Sequence, residues 1–236
     1  MKGNLIMIFY TSGFSFLTLI VSVLIALFAE IKVKHAFSKY SKIPTKSGIS
    51  GAECAKIILK DKNINGVSVN QTRGYFSDFF DPRSGGVYLS DEVYGKNSIA
   101  AISVAAHECG HADQHDKGYF PIKIREFLIP ICNISSKLSM PLVMIGIIFP
   151  TDSNFLLNLG ILLFAVALLF QIVTLPVEFN ASNRALRSLS KNNILAPEEL
   201  KGANAVLSAA ALTYVAATLN SLLYLLRLIF ISRNRD

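Results

Sequence analysis

Residues 5–28 run for 24 positions without a charge, and a stretch of that length crosses a ~30 Å hydrocarbon core as one helix. Three more apolar runs follow at about 128–149, 155–175 and 203–231. Within lipid every backbone N–H and C=O must be satisfied by the chain itself, so runs of this length predict membrane-spanning helices. A composition 52% hydrophobic and only 17% charged, with a mean hydropathy of +0.45, excludes an ordinary soluble domain. The first run is too long for a secretory leader, and no small-x-small cleavage site precedes Glu30-Ile31-Lys32. The second is interrupted by Pro130, Asn133, Lys137 and Pro141, and polar residues at membrane depth usually face protein or water.

The net charge of +7 does not point to nucleic acid. Its lysines and arginines lie beside the apolar runs, where membrane topology and anionic lipid account for them. The lipid bilayer is therefore an expected partner and nucleic acid is not. Three cysteines, Cys54, Cys109 and Cys132, lack metal-type pairing, and their odd number argues against a disulfide framework.

Most of the charge falls in residues 30–126, the expected soluble part. Residues 32–46 read as a basic linker. Ser50-Gly51-Ala52-Glu53 is a capping box opening a helix to about Lys62, with Ala52, Ala55, Ile58 and Leu59 as its apolar stripe. Val67-Ser68-Val69 reads as a short strand. The β-prone runs 74–80 and 87–89, joined by Asp81-Pro82-Arg83-Ser84-Gly85-Gly86, read as a hairpin. Such a sheet either covers a helix or offers an edge strand to an extended peptide.

Asn97-Ser98 can cap a helix from Ile99 to about Gln114, ended by Gly118, and this helix holds Ala105-Ala106-His107-Glu108-Cys109-Gly110-His111-Ala112-Asp113-Gln114. His107 and His111 are four residues apart and share one helical face, so both imidazoles reach a single tetrahedral Zn²⁺. Glu108 lies about 100° further round the helix, a position that suits a proton acceptor better than a ligand. Alanines and Gly110 keep the face uncrowded, and Cys109 points off it as a packing residue.

A catalytic zinc site takes three protein ligands. His115 cannot be the third, because two four-residue steps put it about 12 Å from His107 along the helix. The position ten residues after His107 is Lys117, which excludes a third histidine there. Glu178 is the leading candidate. Pro176 suits a first helical turn or a kink where the third run ends, and beyond it Glu178, Ser182 and Ala185 share a face of small residues. Glu126, Glu198 and Glu199 stay open as alternatives, although Glu198 and Glu199 after Pro197 also suit a helix N-terminus. Two membrane crossings separate His111 from Glu178, and an even number returns the chain to the same side.

Beyond these motifs the chain resembles a family, the YugP-like membrane zinc metallopeptidases. The resemblance rests on Ser77-Asp78-Phe79-Phe80-Asp81-Pro82-Arg83, Leu89-Ser90, Val93-Tyr94, Ser98-Ile99-Ala100-Ala101, the His107–Ala112 segment, Leu175-Pro176-Val177-Glu178-Phe179 and Ala210-Ala211-Leu212-Thr213-Tyr214-Val215-Ala216. It implies a multi-pass zinc metallopeptidase with His107 and His111 as ligands and Glu108 as base. The order of hairpin, zinc helix, membrane hairpin and later glutamate is more distantly similar to HtpX-type membrane proteases, which supports Glu178. The family pattern carries an aspartate where this chain has Asn180 and a histidine where it has Phe79.

The expected fold is mainly α and integral to the membrane, with a gluzincin-type active-site helix, a small β-hairpin and about four hydrophobic segments. The expected order is a spanning helix (5–28), a soluble zinc-peptidase region (30–126), a membrane hairpin (128–175), a helix carrying the third ligand (176–202) and a last spanning or re-entrant segment (203–231). The expected activity is zinc-dependent cleavage of peptides or membrane proteins, with Glu108 as catalytic base and His107, His111 and Glu178 on Zn²⁺. A scaffold or chaperone-like adaptor with a structural zinc is the rival. Tyr214, the one hydroxyl-bearing aromatic in the small-residue run 209–215, is either a donor to the developing oxyanion or an interfacial anchor.

Orientation follows from charge. Lys32, Lys34, Lys39, Lys42 and Lys46 follow the first run, Arg184, Arg187, Lys191 and Lys201 follow the third, and 150–154 carries no positive charge. The positive-inside rule puts the zinc region and Glu178 in the cytoplasm of a cell-membrane protein. A simple fourth span would carry Arg233 and Arg235 outward, so Asn220-Ser221 is read as a possible re-entrant turn.

Overall fold

Helices carry most of this chain. A computed structural model describes the backbone of residues 2–149 and 154–233, with side chains from residue 16 onward. The elements are α1 (Lys2–Tyr40), α2 (Gly51–Asp61), β1 (Ser68–Gln71), β2 (Phe79–Asp81), β3 (Gly86–Leu89), α3 (Ile99–Asp116), α4 (Phe120–Ile148), α5 (Phe155–Lys191) and α6 (Pro197–Arg233). Four helices are long and apolar enough to cross a membrane: Phe16–Tyr40 within α1, and α4, α5 and α6. The chain divides into two units. One comprises the described residues of Met1–Glu30, Ile124–Thr174 and Thr213–Asp236, and the other Ile31–Lys123 and Leu175–Leu212.

The first unit consists of apolar helix segments. Its α4 and α5 pack closely because two glycines let the backbones meet. A Cβ on Gly146 would lie 2.5 Å from Leu157 N, and one on Gly160 would lie 2.8 Å from Val143 N. Small residues at a helix–helix contact are how membrane helices gain dispersion contact where lipid removes the hydrophobic drive. Leu157, Val143 and Leu228 are buried there.

In the second unit α3 is central. Ala100, Ala101, Ala105, Ala106 and Ala112 are all buried, and their small side chains let neighbours approach from every side. Ser98 caps α3 by accepting from Ala101 N at 3.2 Å, and Gly118, at φ +58°, follows its end. The Ser50–Glu53 capping box opens α2 as expected, and Cys54, Ala55, Ile58 and Leu59 pack into the same core as Val87 and Leu89 of β3. Ala185 and Leu189 of α5 and Ala203 and Leu207 of α6 complete that core. The sheet order is β1-β3-β2, with β1 parallel and β2 antiparallel to β3, so β2 is an edge strand.

Several expectations change. The basic stretch read as a linker is helical through Tyr40, because α1 continues past its apolar part. The hairpin forms, but its first strand covers only Phe79–Asp81; residues 74–77 are irregular, with Phe76 at φ +52°. Pro176 neither starts nor stops a helix and lies inside α5, which joins the third apolar run and the Glu178 segment in one 37-residue helix. Likewise α6 runs through Asn220 and Ser221 unbroken, so the re-entrant turn is absent. The uncharged loop 150–153 and Arg235, used in the orientation argument, lie outside the described residues.

Candidate active site

His107 and His111 project from one face of α3 toward α5, with their ring centroids 4.8 Å apart and their planes at 85°. Glu178 of α5 closes the group. Its Oε2 lies 3.3 Å from His107 Nε2 and 3.6 Å from His111 Nε2. Donors at ~2.0–2.1 Å from a tetrahedral centre are separated by about 3.3 Å. The two nitrogen-to-oxygen distances are close to this, the three donors all lie within 4.8 Å of one another, and His107, His111 and Glu178 form the one such His/Cys/Asp/Glu cluster among the described residues, a donor set that suits Zn²⁺.

The approach of α5 to α3 is set at Gly110, on the turn between the two histidines. A Cβ there would sit 2.5 Å from Ala181 O, so only glycine allows the two helices this close. Hydrogen bonds then fix the rings. Gln114, three residues after His111, donates through Nε2 to Val177 O at 2.8 Å and to Asn180 Oδ1 at 3.0 Å. Its Oε1 is thus left as the acceptor facing His111 Nδ1 at 3.0 Å. His111 Nδ1 therefore carries the proton and Nε2 presents its lone pair to the cluster. Ser182 Oγ lies 3.2 Å from His107 Nδ1 and holds that ring by a hydrogen bond.

Behind Gln114 the network continues. Arg184 donates to Asn180 Oδ1 at 2.7 Å and to Asp113, and its guanidinium stacks over Tyr119. Asp113, buried, also meets Lys117 at 2.6 Å and Lys62 at 3.7 Å. Burial alone would raise its pKa, but these cations outweigh it and hold the carboxyl below its ordinary range. The amide oxygen of Asn180 thus accepts two hydrogen bonds, the service a carboxylate would give there, without adding charge.

Glu108 faces the edge strand. The Phe80 backbone N–H lies near enough to favour its charged form. Burial pushes its pKa up to about 7, against the pull of His107 and with the help of the Glu178 and Asp78 charges. A carboxyl group balanced near neutrality both takes and gives a proton. Asp78, just before β2, accepts from Ser90 N at 2.7 Å and from Ser90 Oγ at 3.0 Å, pinning the start of β2 beside the end of β3.

Other candidates are placed elsewhere. Glu198 pairs with Lys46, and Glu199 accepts from Lys46 N at 2.8 Å and Ala196 N at 2.7 Å, as helix N-terminal residues do. Glu126 belongs to the other unit. His115 is exposed at the end of α3 beside Phe80, and Cys109 is buried in packing. Tyr214 is exposed on α6 in the membrane-spanning unit, outside the cluster. Gln114 and Arg184 were passed over at the sequence level. The i,i+3 spacing of His111 and Gln114 was the available signal, but it does not say which neighbour lies across the helix.

No solved structure matches the chain. It is 45% identical over 221 residues to the "Putative membrane protease YugP" of Bacillus subtilis (strain 168), covering 94% of this chain and 97% of that protein. A family model described as "Putative neutral zinc metallopeptidase" matches residues 15–233. The chain belongs to that family.

Proposed function

We propose that the protein is a membrane-bound endopeptidase that cleaves peptides or membrane proteins with zinc held by His107, His111 and Glu178. The observation that carries this reading is the convergence of the His107, His111 and Glu178 donor atoms within 4.8 Å of one another, on the helix that also carries Glu108. Zn²⁺ in such a site supplies Lewis acidity, polarising a carbonyl and bringing the pKa of a water toward about 7. Glu108 takes a proton from the attacking water onto its carboxylate and delivers it to the departing amine nitrogen. β2 is an edge strand of the sheet, and its Phe80 N–H lies near Glu108. An extended peptide laid along that edge passes the general base with its backbone paired, which selects peptide substrates by main chain before side chain.

Three protein donors leave one tetrahedral position for reaction, and this favours an enzyme over the scaffold reading, for which a fourth protein ligand is expected. Lysines and arginines beside the zinc region favour a cytoplasmic orientation for it by the positive-inside rule. The deciding experiment measures zinc content together with cleavage of casein or a membrane-protein substrate by the purified wild type and Glu108→Gln. Zinc in both and turnover in the wild type alone supports the enzyme. Zinc with no turnover in either supports the scaffold. Cysteine labelling of intact cells tests orientation: position 152 should react from outside and positions 46 and 191 should not.

A further inference from the structure

The membrane-spanning unit holds a cavity of about 360 Å³ whose lining includes Ser22 of α1, Met140 of α4, Phe164 of α5, and Asn220, Tyr224 and Arg227 of α6. Its walls are largely apolar, but two polar groups in it are unsatisfied by the described residues. The Arg227 Nε and the Asn220 Oδ1 are each buried without a hydrogen-bond partner among them. They are seven residues apart on α6 and so share one face, with the long arginine side chain leaning back toward the earlier turn. No carboxylate among the described residues pairs with Arg227.

Depth decides what can meet this pair. Ser22 lies eight residues before Glu30, and Phe164 fourteen before Glu178. At ~1.5 Å per residue Ser22 and Phe164 lie roughly 12–21 Å along their helices from those charges, and Arg227 lies about 9 Å from Arg233 with its side chain leaning back toward the cavity, inside a ~30 Å core. A lipid phosphate resides at the surface of that core, beyond the level of the cavity. A second copy of this chain cannot supply an anion either, because the runs 5–28, 128–149, 155–175 and 203–231 contain no aspartate or glutamate. An arginine at that depth marks a functional contact by default, since charge is expensive there unless paired. The exposed Leu19 and Met140 beside the cavity leave it open at the unit's surface.

We propose that this cavity docks a transmembrane helix of another protein, one that carries a carboxylate side chain near its middle to pair with Arg227. The apolar walls receive the flanking side chains of that helix, and Asn220 Oδ1 accepts a hydroxyl or amide donor from it. The site recognises a membrane-embedded segment independently of the metal chemistry.

The test reconstitutes the full chain in phosphatidylcholine vesicles in the Glu108→Gln background, so that cleavage cannot consume the probe. A labelled 23-residue Leu/Ala transmembrane peptide with one central Glu is compared with its central-Gln counterpart by energy transfer. The Glu peptide should associate at least tenfold more tightly. Arg227→Leu should erase the difference and Arg227→Lys should keep part of it. Arg227→Glu should instead prefer a central-Lys peptide, a gain that misfolding cannot imitate. Equal association of the Glu and Gln peptides with the Arg227 protein would overturn the proposal. So would self-association of the chain, or retention of an anionic phospholipid, that disappears in Arg227→Leu.

Discussion

Two regions of this chain use an asparagine and an arginine on one helix, and they use them in opposite ways. On α5, Asn180 and Arg184 are four residues apart; the arginine donates to the asparagine and to buried Asp113, and Gln114 joins the same oxygen. On α6, Asn220 and Arg227 line a cavity with an acceptor and a donor left over. A closed polar network rigidifies, because every group would lose a partner if the helices moved. An open one at membrane depth leaves its interaction energy to whatever enters. The first pair braces the His107–His111–Glu178 cluster, and the second has the character of a docking site.

Breaking the chemistry of the closed region should give the largest effect. Glu108→Gln should keep zinc and fold but lose at least the ~10²–10⁴-fold that a positioned proton carrier contributes, because an amide cannot hold the proton. Full activity in that variant would remove Glu108 from the mechanism. Glu178→Ala should strip the metal, whereas Glu126→Ala and Glu198→Ala should retain it; elemental analysis finding one zinc per chain in Glu178→Ala would assign the third ligand elsewhere.

The network behind the cluster comes next. Gln114→Ala frees His111 Nδ1 and should weaken zinc binding about 10–100-fold with the ligands intact, read by competition with a chelator. Unchanged affinity would mean that packing at Gly110 alone orients the ring.

The comparison itself is tested by one substitution made twice. Arg184→Leu removes a charged donor from buried Asp113 and should destabilise by about 1.5–3 kcal/mol. Arg227→Leu removes a group whose buried Nε has no hydrogen-bond partner among the described residues, and thermal unfolding in detergent should show it neutral or stabilising. Equal losses in the two variants would contradict the distinction between satisfied and unsatisfied pairs. The smallest effect is expected at Tyr214. Tyr214→Phe should lower kcat with little change in KM if its hydroxyl meets the developing oxyanion, and unchanged kinetics would leave it as an interfacial anchor.

The sequence by itself determined what is periodic or local. Charge-free runs of helical length declare the spans whatever surrounds them, because lipid leaves the backbone no other option. The capping box at Ser50 and Glu53 and the His107–His111 spacing are equally local, since they depend on one or two turns of one helix. Tertiary structure decided which carboxylate completes the cluster, for Glu178, Glu198 and Glu199 each suited a helix terminus until Lys46 and Ala196 were seen to occupy the latter two. It also turned the expected linker into the end of α1 and carried α6 straight through Asn220-Ser221, where the helix ladder outweighs the turn preference of two isolated polar residues. The different fates of Arg184 and Arg227 could not be read from composition at all. A side chain's partner is set by the facing helix, and only the fold puts Asp113 opposite one arginine and an open cavity opposite the other.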